Sequence, residues 1–377
     1  MRPEVFLRTS PPALTGAGYG HKFQHMKGTK QVDAAATLPT ASWEALVGPL
    51  RPFLHQVTER LHAEVADFDP AISQFVQYAL ASQGKRLRPT LVGWSGRLQG
   101  KLSDDHVTLA AIVEMVHLAT LVHDDILDGA QLRRGRPTLA EHWGSNMAVL
   151  VGDCLFSQAL KLAASFPTTE VCRASAIASK NVCTGEIIQT TQRGNFHLTR
   201  EEYYKVIRLK TAELFAVSCE MGARVSGASK EIAAQVRALG EEIGMAYQLY
   251  DDALDVFGHE STAGKTLGTD LGTGQLTLPL LIALEQGTEQ DRAWLMTHLP
   301  EWRPELNGAL LVLLRRNAVL EKTQAEIGLY LDRAVKMAQS LPGGDGVDGI
   351  RGLIDLLTSQ IAALGSSTET IDAVVAS

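Results

Sequence analysis

The sequence predicts an all-α protein, and three observations support this fold class. From Trp43 to about Leu364, apolar residues recur at spacings of three and four, the period of an amphipathic helix. The sustained Val/Ile alternation that marks half-buried strands is missing. Clusters of Gly, Pro and Asp divide the pattern into about ten or more helical segments. We therefore expect a helical bundle with essentially no sheet.

The helical pattern also divides the 377 residues into three parts. Residues 1–40 mix Pro, Gly, Thr and basic residues without periodicity, which predicts a disordered N-terminal extension. An organelle transit peptide is a weaker alternative, because no amphipathic helix is evident there. Residues 41–365 are long enough to bury one large core and predict a single domain. Residues 366–377 are expected to form a flexible tail.

Charge and cysteine content argue against several classes of protein. The formal net charge of -7 does not favour a nucleic-acid partner, which requires a basic face. The four cysteines have no CxxC or Cys/His ligand spacing, which predicts reduced thiols and neither zinc nor disulfides. No run of about 18 apolar residues predicts a transmembrane segment. We therefore expect a soluble, cytoplasmic protein.

Two acidic motifs are the most informative feature of the chain. "HDDILDG" at residues 123–129 recurs as "YDDALDVFG" at residues 250–258, and each follows an apolar helical pattern. The first and fifth residues of a DDxxD motif lie on one helix face, and their like charges repel. Carboxylate oxygens without His or Cys suit Mg²⁺, which keeps several waters and binds substrate phosphates. One copy could be a solvated helix end, but two copies on apolar helices favour a metal site.

Two basic clusters accompany the acidic motifs. Arg133 and Arg134 follow the first motif, just past the expected helix end at Gly129. The segment "SQGKRLRP" at residues 82–89 contributes three further cations: Lys85, Arg86 and Arg88. Guanidinium groups bind phosphate oxygens in a bidentate manner. Each cluster alone could be an ordinary solvated loop, but cations beside Mg²⁺-binding carboxylates indicate a diphosphate site.

Taken together, the motifs resemble those of the trans-isoprenyl diphosphate synthases, also called polyprenyl synthetases. The resemblance covers about residues 45–340 and rests on motifs in the family's order: "GKRLRP", "HLATLVHDDILD", "RRGRPT", "VLVGDCLFSQAL", "TGEIIQ", "YKVIRLKTAELF", "AYQLYDDALDVFG" and "GKTLGTDL". It implies a single-domain, all-α isoprenoid-synthase bundle around a central cavity, usually a homodimer. The implied reaction joins isopentenyl diphosphate head to tail to an allylic diphosphate and releases pyrophosphate. The resemblance also implies three Mg²⁺ ions with the bound diphosphate and a transient membrane contact for product release.

The resemblance further implies roles for individual residues. The metal ligands would be Asp124, Asp128, Asp251 and Asp255. Asp125 and Asp252 would assist them through water or as further ligands. Isopentenyl diphosphate would contact Lys85, Arg88, His117 and Arg134. The allylic substrate would contact Arg133, Lys210, Thr211, Gln248 and Lys265. His117 could instead be a satisfied core histidine, although its spacing from the first motif favours the binding role.

The expected chemistry follows from charge. Cations around the leaving pyrophosphate stabilise the negative charge that develops there, and the allylic fragment becomes a carbocation. The reacting carbons therefore need a dry, aliphatic tunnel. Gln248 and the Lys210–Thr211 backbone offer dipoles for the carbocation, and the departing pyrophosphate serves as the base. No Ser/His/Asp or Cys/His arrangement suggests another mechanism.

Small residues before the first motif bear on product length. Ala119 and Thr120 stand one turn before Asp124, where they could leave a groove open or serve as close helix contacts. In the family, bulky aromatic residues at these two positions give short products. The resemblance therefore implies a product longer than geranylgeranyl diphosphate, with a short-chain farnesyl or geranylgeranyl synthase as the alternative.

The chain departs from the family pattern at three places. Gln83 replaces one glycine before Lys85, and Gln275 stands where the family often has lysine, so one cation near the allylic diphosphate is missing. The segment "GIRGLIDLLTSQI" has no clear counterpart of the terminal basic residue. These departures keep open a non-catalytic subunit of a heteromeric synthase. Terpene cyclases and head-to-head synthases fit less well, because the second motif is DDALD and the isopentenyl-site motif is present.

Overall fold

The structure is a computed structural model and describes residues 40–81, 84–258 and 268–365, with side chains from residue 43 onward. The predicted N-terminal extension, except for its last residue, and the predicted tail lie outside the described residues. Lys265, a predicted contact of the allylic substrate, also lies outside them.

Helices account for nearly all regular structure in the described ranges, which confirms the predicted all-α class. The helices are α1 Thr40–Val47, α2 Arg51–Ala66, α3 Pro70–Leu80, α4 Leu87–Gly96, α5 Asp104–Leu127, α6 Leu139–Trp143, α7 Ser145–Ala164, α8 Glu170–Thr191, α9 Arg200–Ile207, α10 Glu213–Val225, α11 Lys230–Phe257, α12 Thr269–Gly272, α13 Leu278–Gln286, α14 Glu289–His298, α15 Asn307–Arg316, α16 Val319–Ser340 and α17 Asp345–Ala363. Short 3₁₀ turns occupy Gly48–Leu50, Leu299–Glu301 and Pro304–Leu306.

A two-stranded hairpin is the exception to the helical pattern. Strands β1, Leu132–Arg133, and β2, Arg136–Pro137, pair in an antiparallel manner just after the first acidic motif. The turn residues Arg134 and Gly135 have φ of 51° and 72°. Two-residue hairpins of type I′ require positive φ at both positions, and only glycine adopts it freely. Arg134 is therefore held in an uncommon backbone conformation.

Two long helices, α5 and α11, form the centre of the bundle. Helix α5 packs mainly against α7, while α11 packs against α10 and α16. Within the described residues, α5 and α7 are long and apolar enough to cross a membrane by length and composition. The apolar segment of α5 is 78% buried in the fold, which marks it as a core helix, and that of α7 is 44% buried. Both acidic motifs lie at the C-terminal ends of the two central helices.

A π-helical turn, Arg208–Ala212, connects α9 to α10 and packs against α8 and α11. Two glycines permit this close approach. A Cβ at Gly185 of α8 would lie 2.6 Å from the backbone nitrogen of Lys210, and one at Gly244 of α11 would lie 2.7 Å from the Ala212 Cα. Single π-turns inside helices are frequent at functional sites. Here the turn carries Lys210 and Thr211, both predicted from the sequence to bind substrate.

The contact between α4 and α17 provides a test of the packing. A Cβ at Gly349 would lie 2.1 Å from the Trp94 ring, which is buried. We expect Gly349→Ala to reduce the free energy of unfolding by about 1–3 kcal/mol, because the core cannot accept the added methyl group. Gly328→Ala in α16 is the matched control, since no atom lies within 4 Å of its Cβ position. It should be neutral or stabilise by up to about 1 kcal/mol. Urea denaturation measures both; equal stability of the two variants would contradict the packing.

Candidate functional site

Two carboxylates of the first acidic motif are paired with arginines from other segments. Asp125 is only 5% exposed, and its Oδ1 accepts a hydrogen bond from Arg133 Nε of the hairpin at 2.8 Å. Arg133 Nη2 lies 2.7 Å from the same oxygen. Burial raises the pKa of Asp125, and Arg133 opposes this rise. Asp128, at the C-cap of α5, accepts from Arg193 Nη2 at 2.5 Å. Each of these aspartates therefore connects α5 to a following loop.

Asp124 faces a lysine from the π-turn. Lys210 Nζ lies 4.0 Å from Asp124 Oδ2 and 2.5 Å from Glu186 Oε2, and it donates to Gln189 Oε1 at 2.8 Å. Burial, opposed by Lys210 and supported by Glu186 and Asp128, raises the pKa of Asp124 to about 7. Burial is therefore the main reason that the charged form of Asp124 is disfavoured.

The second motif separates its three aspartates by environment. Asp251 is partly exposed, whereas Asp252 and Asp255 are 5% and 4% exposed. Asp255 accepts from the Asp270 backbone nitrogen at 3.2 Å and from Thr269 Oγ1 at 3.3 Å, at the start of α12. Its role as a metal ligand therefore stays a prediction. Asp251 is the most exposed carboxylate of this motif.

A buried hydrogen-bonded chain connects the second motif to the π-turn. Tyr203 Oη and Gln248 Nε2 both donate to Asp252, at 2.5 and 2.7 Å. Thr211 Oγ1 donates to Gln248 Oε1 at 2.7 Å. Burial, together with Asp252, raises the pKa of Tyr203 well above its usual value, so this phenol stays a donor. Asp252 thus orients Gln248 and Thr211, two predicted contacts of the allylic substrate.

The predicted isopentenyl diphosphate residues form a cationic pocket with one buried acid. Burial lowers the pKa of Arg88, whose guanidinium carbon lies 5.0 Å from the centre of the Phe215 ring. Burial also raises the pKa of Glu114, and Arg88 and Arg134 oppose this rise. The pKa of His117 is well below its usual value because of burial and the neighbouring arginines. Three arginines near a neutral histidine make this pocket positive, which suits an anion.

Gly84 and the hairpin together place Arg134 in this pocket. A Cβ at Gly84 would lie 2.3 Å from Arg134 Nη2, so a larger residue here would require the flexible guanidinium group to move. The adjacent Lys85 is partly buried, and burial lowers its pKa to about 8. The structure therefore brings the "GKRLRP" segment and the "RRGRPT" hairpin together, as the diphosphate hypothesis requires.

An apolar wall lies below the first motif. Ala119 is 0% exposed and belongs to the core cluster of α5, which continues downward through Val116, Met115 and Ile112. Thr120 is partly exposed and donates to the His117 carbonyl oxygen at 2.7 Å. The small side chain of Ala119 is therefore placed between the acidic residues and an aliphatic interior.

Three polar residues were not identified as site residues from the sequence. Glu114 lies behind the arginines, Glu186 contacts Lys210, and Arg193 binds Asp128. The sequence carried a signal for Glu186 and Arg193, because Glu186, Gln189 and Arg193 recur at the helical spacings of three and four, although α8 itself ends at Thr191. Glu114 had no distinguishing local pattern. In the ranges that the structure describes, no three His, Cys, Asp or Glu residues cluster closely enough to hold a metal ion by themselves.

Fold and site together define a class of helical proteins that handle diphosphates, and comparisons with known proteins identify the family. The polyprenyl synthetase family model matches residues 69–306. Heptaprenyl diphosphate synthase component 2 from Geobacillus stearothermophilus is 33% identical over 79% of this chain and 93% of its own length. Octaprenyl diphosphate synthase from Escherichia coli is 33% identical over 76% of this chain and 88% of its own length. A decaprenyl diphosphate synthase structure from Rhodobacter capsulatus has a TM-score of 0.78 at 31% identity, covering 85% of this chain and 99% of that one.

The chain belongs to the polyprenyl synthetase family, which confirms the resemblance found in the sequence. It is accordingly a prenyltransferase. Substrates in this family are isopentenyl diphosphate and allylic diphosphates, and the family is Mg²⁺-dependent in general.

The low pKa of Lys85 predicts a pH dependence. Its folded pKa of about 8 means that the ammonium group loses its proton as the pH rises through 8, and a diphosphate binds the charged form. We expect the KM for isopentenyl diphosphate to rise about five- to tenfold between about pH 7.5 and 9. Lys85→Arg should flatten this profile, because arginine stays charged. Steady-state kinetics across this range measures the effect.

The exposed Lys101 provides the matched control for this profile. Lys101→Arg should leave the rise in KM unchanged. A Lys85→Arg enzyme with the wild-type pH profile would assign the effect to another group.

Proposed function

We propose that this chain is a Mg²⁺-dependent, head-to-tail trans-prenyltransferase that makes a polyprenyl diphosphate longer than geranylgeranyl diphosphate. One observation carries the proposal. The consecutive residues Lys210 and Thr211 reach the two acidic motifs: Lys210 faces Asp124, and Thr211 is linked through Gln248 to Asp252. The two motifs are therefore neighbours around one π-turn, beside the cationic pocket.

The carboxylates proposed to hold Mg²⁺ are Asp124 and Asp128 from α5 and Asp251 from α11, with Asp255 as a further ligand. Their oxygen donors fit Mg²⁺, and a dication would favour the charged form of Asp124, whose pKa is raised by burial and further by Glu186 and Asp128. Mg²⁺ usually keeps several waters and binds substrate phosphates, so these groups are proposed to complete the coordination. Three ions are proposed to bind together with the diphosphate. When bound, the ions would neutralise the leaving pyrophosphate.

Other residues of the chain are proposed to bind the two substrates and to stabilise the carbocation. Lys210 and Arg133 lie beside the first motif and are proposed to bind the allylic diphosphate, together with Lys265 from outside the described residues. Thr211 and Gln248 are proposed to stabilise the allylic carbocation with their dipoles. Isopentenyl diphosphate is proposed to occupy the pocket whose four members are Lys85, Arg88, His117 and Arg134. Holding both substrates in one orientation accelerates their coupling.

Product length is proposed to depend on Ala119, because this small residue stands between the acidic motif and the buried wall of α5. Several relatives support a long product: their names are heptaprenyl, octaprenyl and nonaprenyl diphosphate synthase. A short-chain alternative is kept, because a short chain isoprenyl diphosphate synthase from Methanothermobacter thermautotrophicus is 30% identical over 82% of this chain.

The decisive assay incubates the purified chain with Mg²⁺, isopentenyl diphosphate and each allylic primer in turn, then sizes the dephosphorylated alcohols. We expect products longer than geranylgeraniol, and none when Mg²⁺ is chelated.

Ala119→Phe should shorten the product, because the ring fills the space below the diphosphate. Leu118→Phe adds bulk at the neighbouring buried position and should leave the length unchanged. Wild-type product length in Ala119→Phe would refute the role of Ala119, and inactivity under all conditions would favour a silent subunit.

The assembly is proposed to be a homodimer through the exposed faces of α7 and α8. These neighbouring helices carry apolar side chains that are 43–64% exposed: Val149, Leu150, Leu160, Ile177 and Ile187. Exposed apolar side chains on neighbouring helices are typical of a protein interface. A heteromeric assembly is the alternative, because one relative is named as component 2 of a synthase. We also propose a cytoplasmic location with transient membrane contact during product release.

The homodimer proposal predicts the effect of a charge in this face. Leu150 is 59% exposed on α7, and Leu150→Asp should convert the dimer to a monomer, because an interface core excludes unpaired charge. Light scattering after size-exclusion chromatography measures the mass. Leu329→Asp on α16, where the leucine is 53% exposed, is the control and should remain dimeric. A monomeric wild-type chain would instead favour the heteromeric alternative.

A further inference from the structure

We propose that Gln275 is a positioning residue for the allylic diphosphate site and acts through Gln189 on Lys210. The inference rests on the proposed role of Lys210 in binding that diphosphate. Gln275 lies between α12 and α13, and Gln189 lies on α8. A residue 65 positions after Lys210 in the sequence is thus connected to its ammonium group through one intervening amide.

The direction of the hydrogen bonds in this relay is fixed by chemistry. Lys210 Nζ lies 2.8 Å from Gln189 Oε1, and Gln189 Nε2 lies 2.7 Å from Gln275 Oε1. A lysine ammonium group can only donate, so Gln189 must turn its oxygen toward Lys210. Its amide nitrogen then faces Gln275, which must accept. Position 275 therefore requires a hydrogen-bond acceptor, and a cation cannot take over this function.

The backbone holds the Gln275 acceptor in place. The Gly194 backbone nitrogen donates to the Gly274 carbonyl oxygen at 2.9 Å, and the Gln275 backbone nitrogen donates to the Asp270 carbonyl oxygen at 2.8 Å. Gly274 has φ of 72°, and a Cβ there would lie 3.3 Å from the Gly194 nitrogen. The loop that carries Gln275 is therefore tied to the segment that follows α8, and the spacing between the two glutamines is set by main chain.

This relay affects the position of the Lys210 ammonium group. Lys210 Nζ has two acidic neighbours at unequal distances, Glu186 at 2.5 Å and Asp124 at 4.0 Å. Gln189 provides the neutral third contact that keeps the ammonium group from being drawn wholly onto Glu186. Without the acceptor at position 275, the Gln189 amide is free to rotate and present its nitrogen to Lys210. The lysine charge would then shift away from Asp124, where the allylic diphosphate is proposed to bind.

The test compares variants of Gln275 in steady-state kinetics with Mg²⁺, isopentenyl diphosphate and an allylic primer. We expect Gln275→Leu to lower kcat/KM for the allylic diphosphate by about tenfold, with the KM for isopentenyl diphosphate within about twofold of wild type. Gln189→Leu should cause a similar loss. The double variant should lose no more than Gln189→Leu alone, because both changes interrupt one relay.

Gln275→Lys distinguishes an acceptor from a cation at this position. The relay predicts a loss similar to that of Gln275→Leu, since lysine cannot accept from Gln189. Unchanged or improved kcat/KM for the allylic diphosphate in Gln275→Lys would overturn the proposal, as would additive losses in the double variant. Thr273→Val is the control for general disturbance of the loop, because Thr273 Oγ1 lies 3.1 Å from the nearby carbonyl oxygens of Thr269 and Asp270 and outside the relay. The Thr273→Val variant should retain wild-type kinetics.

Lys210→Ala separates this proposal from the one on which it rests. If Lys210→Ala is impaired toward the allylic substrate and Gln275→Leu is not, the relay is refuted and the site assignment stands. If Lys210→Ala keeps full activity, both the assignment of Lys210 and the relay fail. Thermal melting and the KM for isopentenyl diphosphate show in each variant that the bundle is folded.

Discussion

Compensation of carboxylate charge at the C-terminal ends of α5 and α11 is the constraint on which the site depends. A helix C-terminus carries a partial negative charge, so acidic side chains there are unfavourable, and neither helix has a basic residue in its last turn. The missing cations come from elsewhere: Arg133 from the hairpin, Arg193 from the segment after α8, and Lys210 from the π-turn. The acidic end of α5 thereby determines how three other segments approach it.

The site has two electrostatic regions of opposite sign. Around the first motif, one lysine faces the carboxylates of Asp124 and Glu186, and the pKa of Asp124 is raised by burial. In the neighbouring pocket the excess is positive, and Glu114 is a buried acid among the arginines. A diphosphate accompanied by Mg²⁺ suits the first region, while a diphosphate without metal suits the second. The difference in sign therefore supports the proposal that two substrates with the same head group bind in different places.

The sequence predicted what depends on local patterns and missed what depends on distant contacts. Helical periodicity and the two DDxxD motifs were sufficient to predict an all-α bundle and the acidic ends of two helices, because both are properties of neighbouring residues. The environment of each aspartate was not predictable, since Asp252 is held by Tyr203, 49 residues earlier, and Asp255 by the start of α12. The π-turn also has no local signal, because glycines on α8 and α11 make room for it.

The second motif shows how a buried carboxylate can determine the polarity of a group that is proposed to contact substrate. Tyr203 and Gln248 both donate to Asp252, so the Gln248 amide must turn its oxygen toward Thr211. The Thr211 hydroxyl then uses its only proton in the hydrogen bond to Gln248. Its oxygen is left as an acceptor, which is the polarity that a developing carbocation requires. Asp252 can therefore affect the reaction without binding metal, because its charge fixes the direction of every hydrogen bond between Tyr203 and Thr211.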